Sequence, residues 1–128
     1  MNLCLEKGDC VKELLIVDDH QGIRLLLKEV FNKEGYLVHL AANGVEAIHI
    51  AQKEKIDGVL LDMKIPDMSG LEIIKKIKSI NSTIPIMMMS GFSEDSLIKN
   101  AMDYGATYFF TKPFNIHEII NGVKSVLL

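Results

Sequence analysis

Two adjacent acids, Asp18 and Asp19, end the apolar run Leu14-Leu15-Ile16-Val17. Asp62 ends a second run, Val59-Leu60-Leu61, and Ser90 ends a third, Ile86-Met87-Met88-Met89. Lys112 and Pro113 close a fourth, Thr107-Tyr108-Phe109-Phe110-Thr111. Neighbouring carboxylates repel one another unless a cation lies between them. Mg²⁺ suits such oxygen donors, taking few carboxylates and keeping water on its other positions. Asp18, Asp19 and Asp62 are therefore candidate metal ligands. A carboxylate can also act as a nucleophile and form an aspartyl-phosphate, which is the role Asp62 suggests. The ammonium of Lys112 is a compact point charge, able to hold a phosphoryl oxygen or to pair with Asp62. The Ser90 hydroxyl can donate to a second oxygen. Together these groups suit a divalent metal and a phosphoryl group, provided the fold gathers them.

The elements make that gathering plausible. Apolar runs this short, bounded by turn residues, read as buried strands. Strands are expected at 13–18, 37–40, 58–62, 84–89 and 107–110. Between them, Ile23, Leu26, Leu27, Val30 and Phe31 fall on one face of a helix over 22–34, stopped by Gly35. Asn43 caps a helix over 44–54. Lys64-Ile65-Pro66-Asp67-Met68-Ser69-Gly70 reads as a turn, followed by a helix over 70–80. A thinner apolar face, Leu97, Ile98, Ala101 and Met102, marks a helix over 93–103 capped by Ser93. Ile116, Ile119, Ile120, Val123 and Leu127 mark the last, over 115–127. Five βα repeats imply right-handed crossovers and a sheet covered on both faces. The fold class is α/β: a doubly wound, flavodoxin-like, five-stranded parallel sheet in the order 2-1-3-4-5, with five helices. Ligands in such sheets bind beyond the carboxyl ends of the strands, at the switch point between strands one and three. Asp18, Asp19 and Asp62 fall there.

The 128 residues suit one domain, and 48% of them are hydrophobic, ample for its core. A net charge of −3 with no basic block gives nucleic-acid binding little electrostatic support. No apolar run approaches the roughly 20 residues that span a bilayer, and the first ten residues lack the apolar stretch of a signal peptide. A cytoplasmic monomer is expected, with residues 1–11 as an N-terminal tail, 12–128 as the domain and no output domain attached. Cys4 and Cys10 read as reduced and solvent-facing. Met87, Met88 and Met89 read as core filler. His39, His49 and His117 lack ligand-like spacing, whereas His20 follows the acid pair and is placed at the site mouth. Phe109 is open to two readings, core packing or a functional aromatic. Pro113 points to a fixed loop after Lys112, where a cis peptide bond is available.

The acid pair, the central aspartate, the strand-end hydroxyl and the Lys-Pro pair match in order and strand context the receiver domains of two-component response regulators. The resemblance covers about 12–128. It implies that Asp62 accepts a phosphoryl group from a sensor histidine kinase. It also implies that Asp19, Asp62 and the Lys64 backbone carbonyl ligate Mg²⁺, with Asp18 supporting through water. Ser90 and Lys112 would hold the phosphoryl group, and Phe109 occupies the switch-aromatic position. The stretches 22–36, 41–44 and 60–66 are similar to stand-alone receivers that pass phosphate to a histidine phosphotransferase in a sporulation phosphorelay. Those relatives have histidine where this chain has Phe109, and tyrosine where it has Gln21. Partner docking is expected around Gln21, Ile23 and Leu26 with the loop after Lys112, although Leu26 also fits the core.

Other readings compete. A chemotaxis-type receiver would bind a target directly once phosphorylated. An FMN carrier on the same fold needs a Ser/Thr/Gly-rich phosphate loop after strand one, where this chain has Asp18-Asp19-His20-Gln21-Gly22. An aspartate-nucleophile phosphatase needs an Asp-x-Asp pattern after that strand, which is absent.

Overall fold

Alternation along each strand decides how this chain buries its apolar runs. The computed structural model describes residues 11–91, 95–113 and 115–127. The strands are β1 (Glu13–Val17), β2 (Leu37–Ala41), β3 (Gly58–Asp62), β4 (Ile86–Ser90) and β5 (Tyr108–Thr111). Between and after them come α1 (Gln21–Lys33), α2 (Gly44–Lys53), α3 (Gly70–Ile80), α4 (Asp95–Asp103) and α5 (Ile116–Val126). All pairings are parallel and the order is β2-β1-β3-β4-β5, as expected from the repeats. Cys4, Cys10, the Ser93 cap and the Leu97 side chain lie outside the described residues.

Successive side chains of a strand point to opposite faces. Leu15, Val17, Val59, Leu61, Ile86 and Met88 enter one apolar layer with Ala47 of α2, Ile73, Ile74 and Ile77 of α3, and Ala101 of α4. Leu14, Ile16, Leu60, Met87, Met89 and Phe110 enter the other with Leu27 and Phe31 of α1, and Ile119 and Val123 of α5. The three methionines are fully buried and split between the layers, as expected of core filler.

Local chemistry sets the boundaries. Asn43 accepts from the Glu46 N–H while the Glu46 carboxylate accepts from the Ala42 N–H, so α2 starts in a reciprocal cap. Ser69 caps α3 through the Glu72 N–H. Gly35 sits at φ 95°, the left-handed conformation that ends α1. β4 starts at Ile86, later than the pattern suggests. Pro85 has no N–H to give a ladder, and its carbonyl instead accepts from Val59.

The face expected for α1 proves narrower than the apolar pattern. Leu27 and Phe31 are buried, whereas Leu26 is 45% exposed and Leu25 is exposed beside it. Leu26 therefore belongs to the surface. Its position, one residue before Leu27, turns it off the buried stripe.

Candidate functional site

The carboxyl ends of β1, β3, β4 and β5 bring the sequence-predicted groups together. Asp18 follows β1 with no exposed surface, and Asp62 and Ser90, the last residues of β3 and β4, are also buried. Lys112 follows β5, and its N–H donates to the Ser90 carbonyl at 2.7 Å, so backbone pairing fixes where its side chain begins. The Lys112 ammonium donates to Asp62 Oδ2 at 3.0 Å and stands 3.8 Å from Asp18 Oδ2. The Lys64 N–H donates to Asp62 Oδ1 at 3.0 Å. The Lys112–Pro113 peptide bond is cis.

Asp18 Oδ1 accepts from the His20 N–H at 2.8 Å, and His20 Nδ1 lies 2.8 Å from that oxygen and 3.2 Å from Asp19 Oδ1. Each of Asp18, Asp19, His20 and Asp62 offers one ligand atom, and these four atoms lie within 4.8 Å of one another. Among the described residues, two buried side-chain atoms, Asp18 Oδ2 and Ser90 Oγ, have no hydrogen-bond partner. A buried polar atom without a partner is costly. Both atoms belong to strand ends of this site, one an acceptor suited to a cation and one a donor suited to an anion.

The charges shift accordingly. Burial pushes the Asp62 carboxyl above its ordinary value, with Asp18 adding to the rise. The Lys64 N–H and the Lys112 ammonium only partly offset it. His20 is also raised, first by its hydrogen bond to Asp18 and then by the charges of Asp18 and Asp19.

Sequence reasoning missed several partners. Arg24 donates from Nη1 to the Asp18 carbonyl at 2.8 Å. Asp67, read as part of a turn, accepts from the N–H groups of Gly44 and Val45 at 2.9 and 3.2 Å, tying the loop after β3 to the start of α2. His39 lies 2.9 Å from Glu13 and shares a cluster with Glu13 and Glu54 at the other end of the sheet. Its partners are too distant in sequence for spacing to reveal them. Phe109 is 39% exposed, which removes the core-packing reading, while its neighbour Phe110 is buried. His20, Ile23, Lys112 and Pro113 line an apolar hollow of about 340 Å³ beside the site, where docking was expected.

The profile of the response regulator receiver domain matches residues 14–124. The chain belongs to the response regulator receiver family. Members of this family accept phosphate from histidine kinases and generally use Mg²⁺ at an acidic pocket. The chain is 50% identical over 116 residues to sporulation initiation phosphotransferase F of Bacillus subtilis (strain 168), covering 91% of this receiver and 94% of that protein. It is 35% identical to the transcriptional regulatory protein SrrA of Staphylococcus aureus, of which it spans 47%. Among solved structures, the chemotaxis protein CheY4 of Vibrio cholerae superposes with a TM-score of 0.86 at 31% identity, covering 92% of this receiver and 100% of that chain. A receiver domain protein of Methanospirillum hungatei JF-1 superposes at 0.88 with 29% identity, covering 92% and 94%. Among the described residues, no helix is long and apolar enough to cross a membrane.

Proposed function

We propose that this receiver takes a phosphoryl group onto Asp62 from a sensor histidine kinase and forwards it to a histidine phosphotransferase, in a phosphorelay of the sporulation-initiation kind. Residues 12–128 act as the receiver and 1–11 as its tail, in a cytoplasmic monomer. The observation that carries the chemistry is the buried Asp62 carboxylate with the Lys112 ammonium on Oδ2 and the Lys64 N–H on Oδ1. A carboxylate oxygen of Asp62 attacks phosphorus, the P–O bond forms as the kinase P–N bond breaks, and the imidazole leaves. Lys112 balances charge on the transferred oxygens, and the Ser90 hydroxyl gains the acceptor it lacks. Asp18, Asp19, Asp62 and the Lys64 carbonyl would hold Mg²⁺, and the orphaned, buried Asp18 Oδ2 supports that fit. When bound, Mg²⁺ neutralises charge on the phosphoryl oxygens, the main electrostatic need of such transfers.

The relay half of the proposal rests on the 50% identity to a sporulation phosphotransferase. A two-step labelling experiment tests it. Receiver labelled by its kinase is purified and mixed with the phosphotransferase. Label should leave Asp62 and appear on the partner's histidine. Label that stays on Asp62 would instead favour the chemotaxis-type reading, which the exposed Tyr108 and Phe109 support as a target surface.

Phosphorylation is read out, in this proposal, through Ser90 and Phe109. Ser90 moves toward the phosphoryl group and Phe109 swings into the space it vacates. Weakly packed elements are the ones that respond to such events, and among the described residues β5 pairs with β4 alone. With the phosphoryl mimic beryllofluoride, amide exchange in 98–111 should slow at least severalfold. Unchanged exchange there would remove Phe109 from the mechanism.

A further inference from the structure

The acidic site contains a group that oxygen-only coordination does not use. His20 Nδ1 lies 2.8 Å from Asp18 Oδ1 and 3.2 Å from Asp19 Oδ1. Neighbouring ligands of one octahedral ion, each about 2.1 Å from it, stand about 3 Å apart. The imidazole nitrogen, hydrogen-bonded to Asp18, thus stands at a distance from both carboxylates that an ion replacing its proton can span. The site is built, because Asp18 has no exposed surface and its Oδ2 has no hydrogen-bond partner. The His20 side chain is 64% exposed, so it can turn about its own bonds without disturbing the core. It also immediately precedes α1, and its carbonyl accepts from the Arg24 N–H at 3.0 Å, which holds its backbone beside the acids.

We propose that His20 is a nitrogen ligand of the divalent ion at this site, so that this receiver favours imidazole-binding first-row ions over Mg²⁺ more strongly than a receiver with oxygen donors alone. The inference rests on the metal-site reading above and adds a ligand to it. Imidazole suits Fe, Ni, Cu and Zn ions, whereas Mg²⁺ prefers oxygen and gives up its waters reluctantly. The two classes of ion are therefore separated by this one side chain.

Mn²⁺ alone is the spectroscopic probe, because it is paramagnetic and reports directly bound nitrogen by electron spin echo modulation. Wild-type protein loaded with Mn²⁺ should show ¹⁴N modulation. It should disappear in His20→Gln and persist in His39→Gln, which controls for the second histidine–glutamate cluster. By calorimetry with Ni²⁺, an ion that imidazole suits, His20→Gln should weaken binding roughly tenfold or more, the scale carried even by outer partners of a metal ligand. Mg²⁺ affinity should stay within about twofold, since that ion draws mainly on oxygen. Growing the protein on ¹⁵N-histidine should change the modulation pattern, independently of any variant's folding. Mn²⁺ that binds without nitrogen modulation, or modulation lost in His39→Gln instead, overturns the assignment of His20 and leaves the phosphoryl chemistry of Asp62 standing. Failure of Mn²⁺ and Mg²⁺ alike to bind overturns both readings.

Discussion

Asp62→Asn, incubated with Mg²⁺ and acetyl phosphate, should gain no phosphoryl mass, while the wild type gains one group that survives acid and is lost in base. The substitution keeps the shape of the side chain and an oxygen to accept from the Lys64 N–H, while the amide nitrogen that replaces Oδ2 can no longer accept from Lys112. The same variant carries a second expectation with a definite sign. Burial holds the folded-state carboxyl above its ordinary value. A group raised in this way contributes stability that is complete below its unfolded value and is lost as pH rises through the folded value. Near neutral pH the ionised carboxylate therefore strains the metal-free protein, and the neutral amide removes that strain. The variant should therefore unfold at a higher temperature than the wild type near neutral pH. Thermal unfolding in EDTA measures it, and the gap between the two proteins should close in mild acid. A wild type labelled elsewhere, or a variant less stable at neutral pH, would contradict the role given to this carboxylate.

Lys112→Met should slow phosphorylation by about 10²–10³-fold, the usual consequence of removing one preorganised donor from a site of developing negative charge. The ammonium stands 3.0 Å from Asp62 and 3.8 Å from Asp18, so it is the cation shared by both buried acids. Its backbone bond to Ser90 does not depend on the side chain, and the strand end should survive. The buried acids lose their partner, which should cost the metal-free protein about 1–3 kcal/mol. Lys112→Arg should recover only part of the rate, because a planar fork does not replace a point charge on a flexible stem. Stopped-flow phosphorylation with acetyl phosphate measures both variants. A methionine variant that reacts at the wild-type rate would remove Lys112 from the transfer.

The fold was legible because each strand is a short apolar run between turn residues, and because the runs alternate with helical spacing at least five times. The principal site groups were legible for a related reason: Asp18, Asp62, Ser90 and Lys112 each terminate a run, and a parallel sheet collects its strand ends. What stayed hidden depends on distance in sequence or on face. Nothing in the turn around Asp67 announces that its carboxylate reaches back to Gly44 and Val45. His39 meets Glu13 only because β1 and β2 pair in register. Leu26 looked as apolar as Leu27, and only the helix's rotation against the sheet separates surface from core. Phe109 and Phe110 are adjacent aromatics, and strand parity sends only the second into the apolar layer. The closeness of His20 to the acids is a side-chain direction, and periodicity carries no information about it.

The Asp67 contact has a consequence for communication across the molecule. The segment holding Lys64 is fastened at one end to Asp62 and at the other to the entrance of α2. Gly44 is the point of closest approach there, because a β-carbon on it would come within 2.9 Å of Met68 Cβ. Crowding at this remote glycine would push the fastened segment as a unit, and the push would arrive at the catalytic end. Gly44→Ala should therefore alter the rate at which acetyl phosphate labels Asp62, from a position outside the reaction crevice.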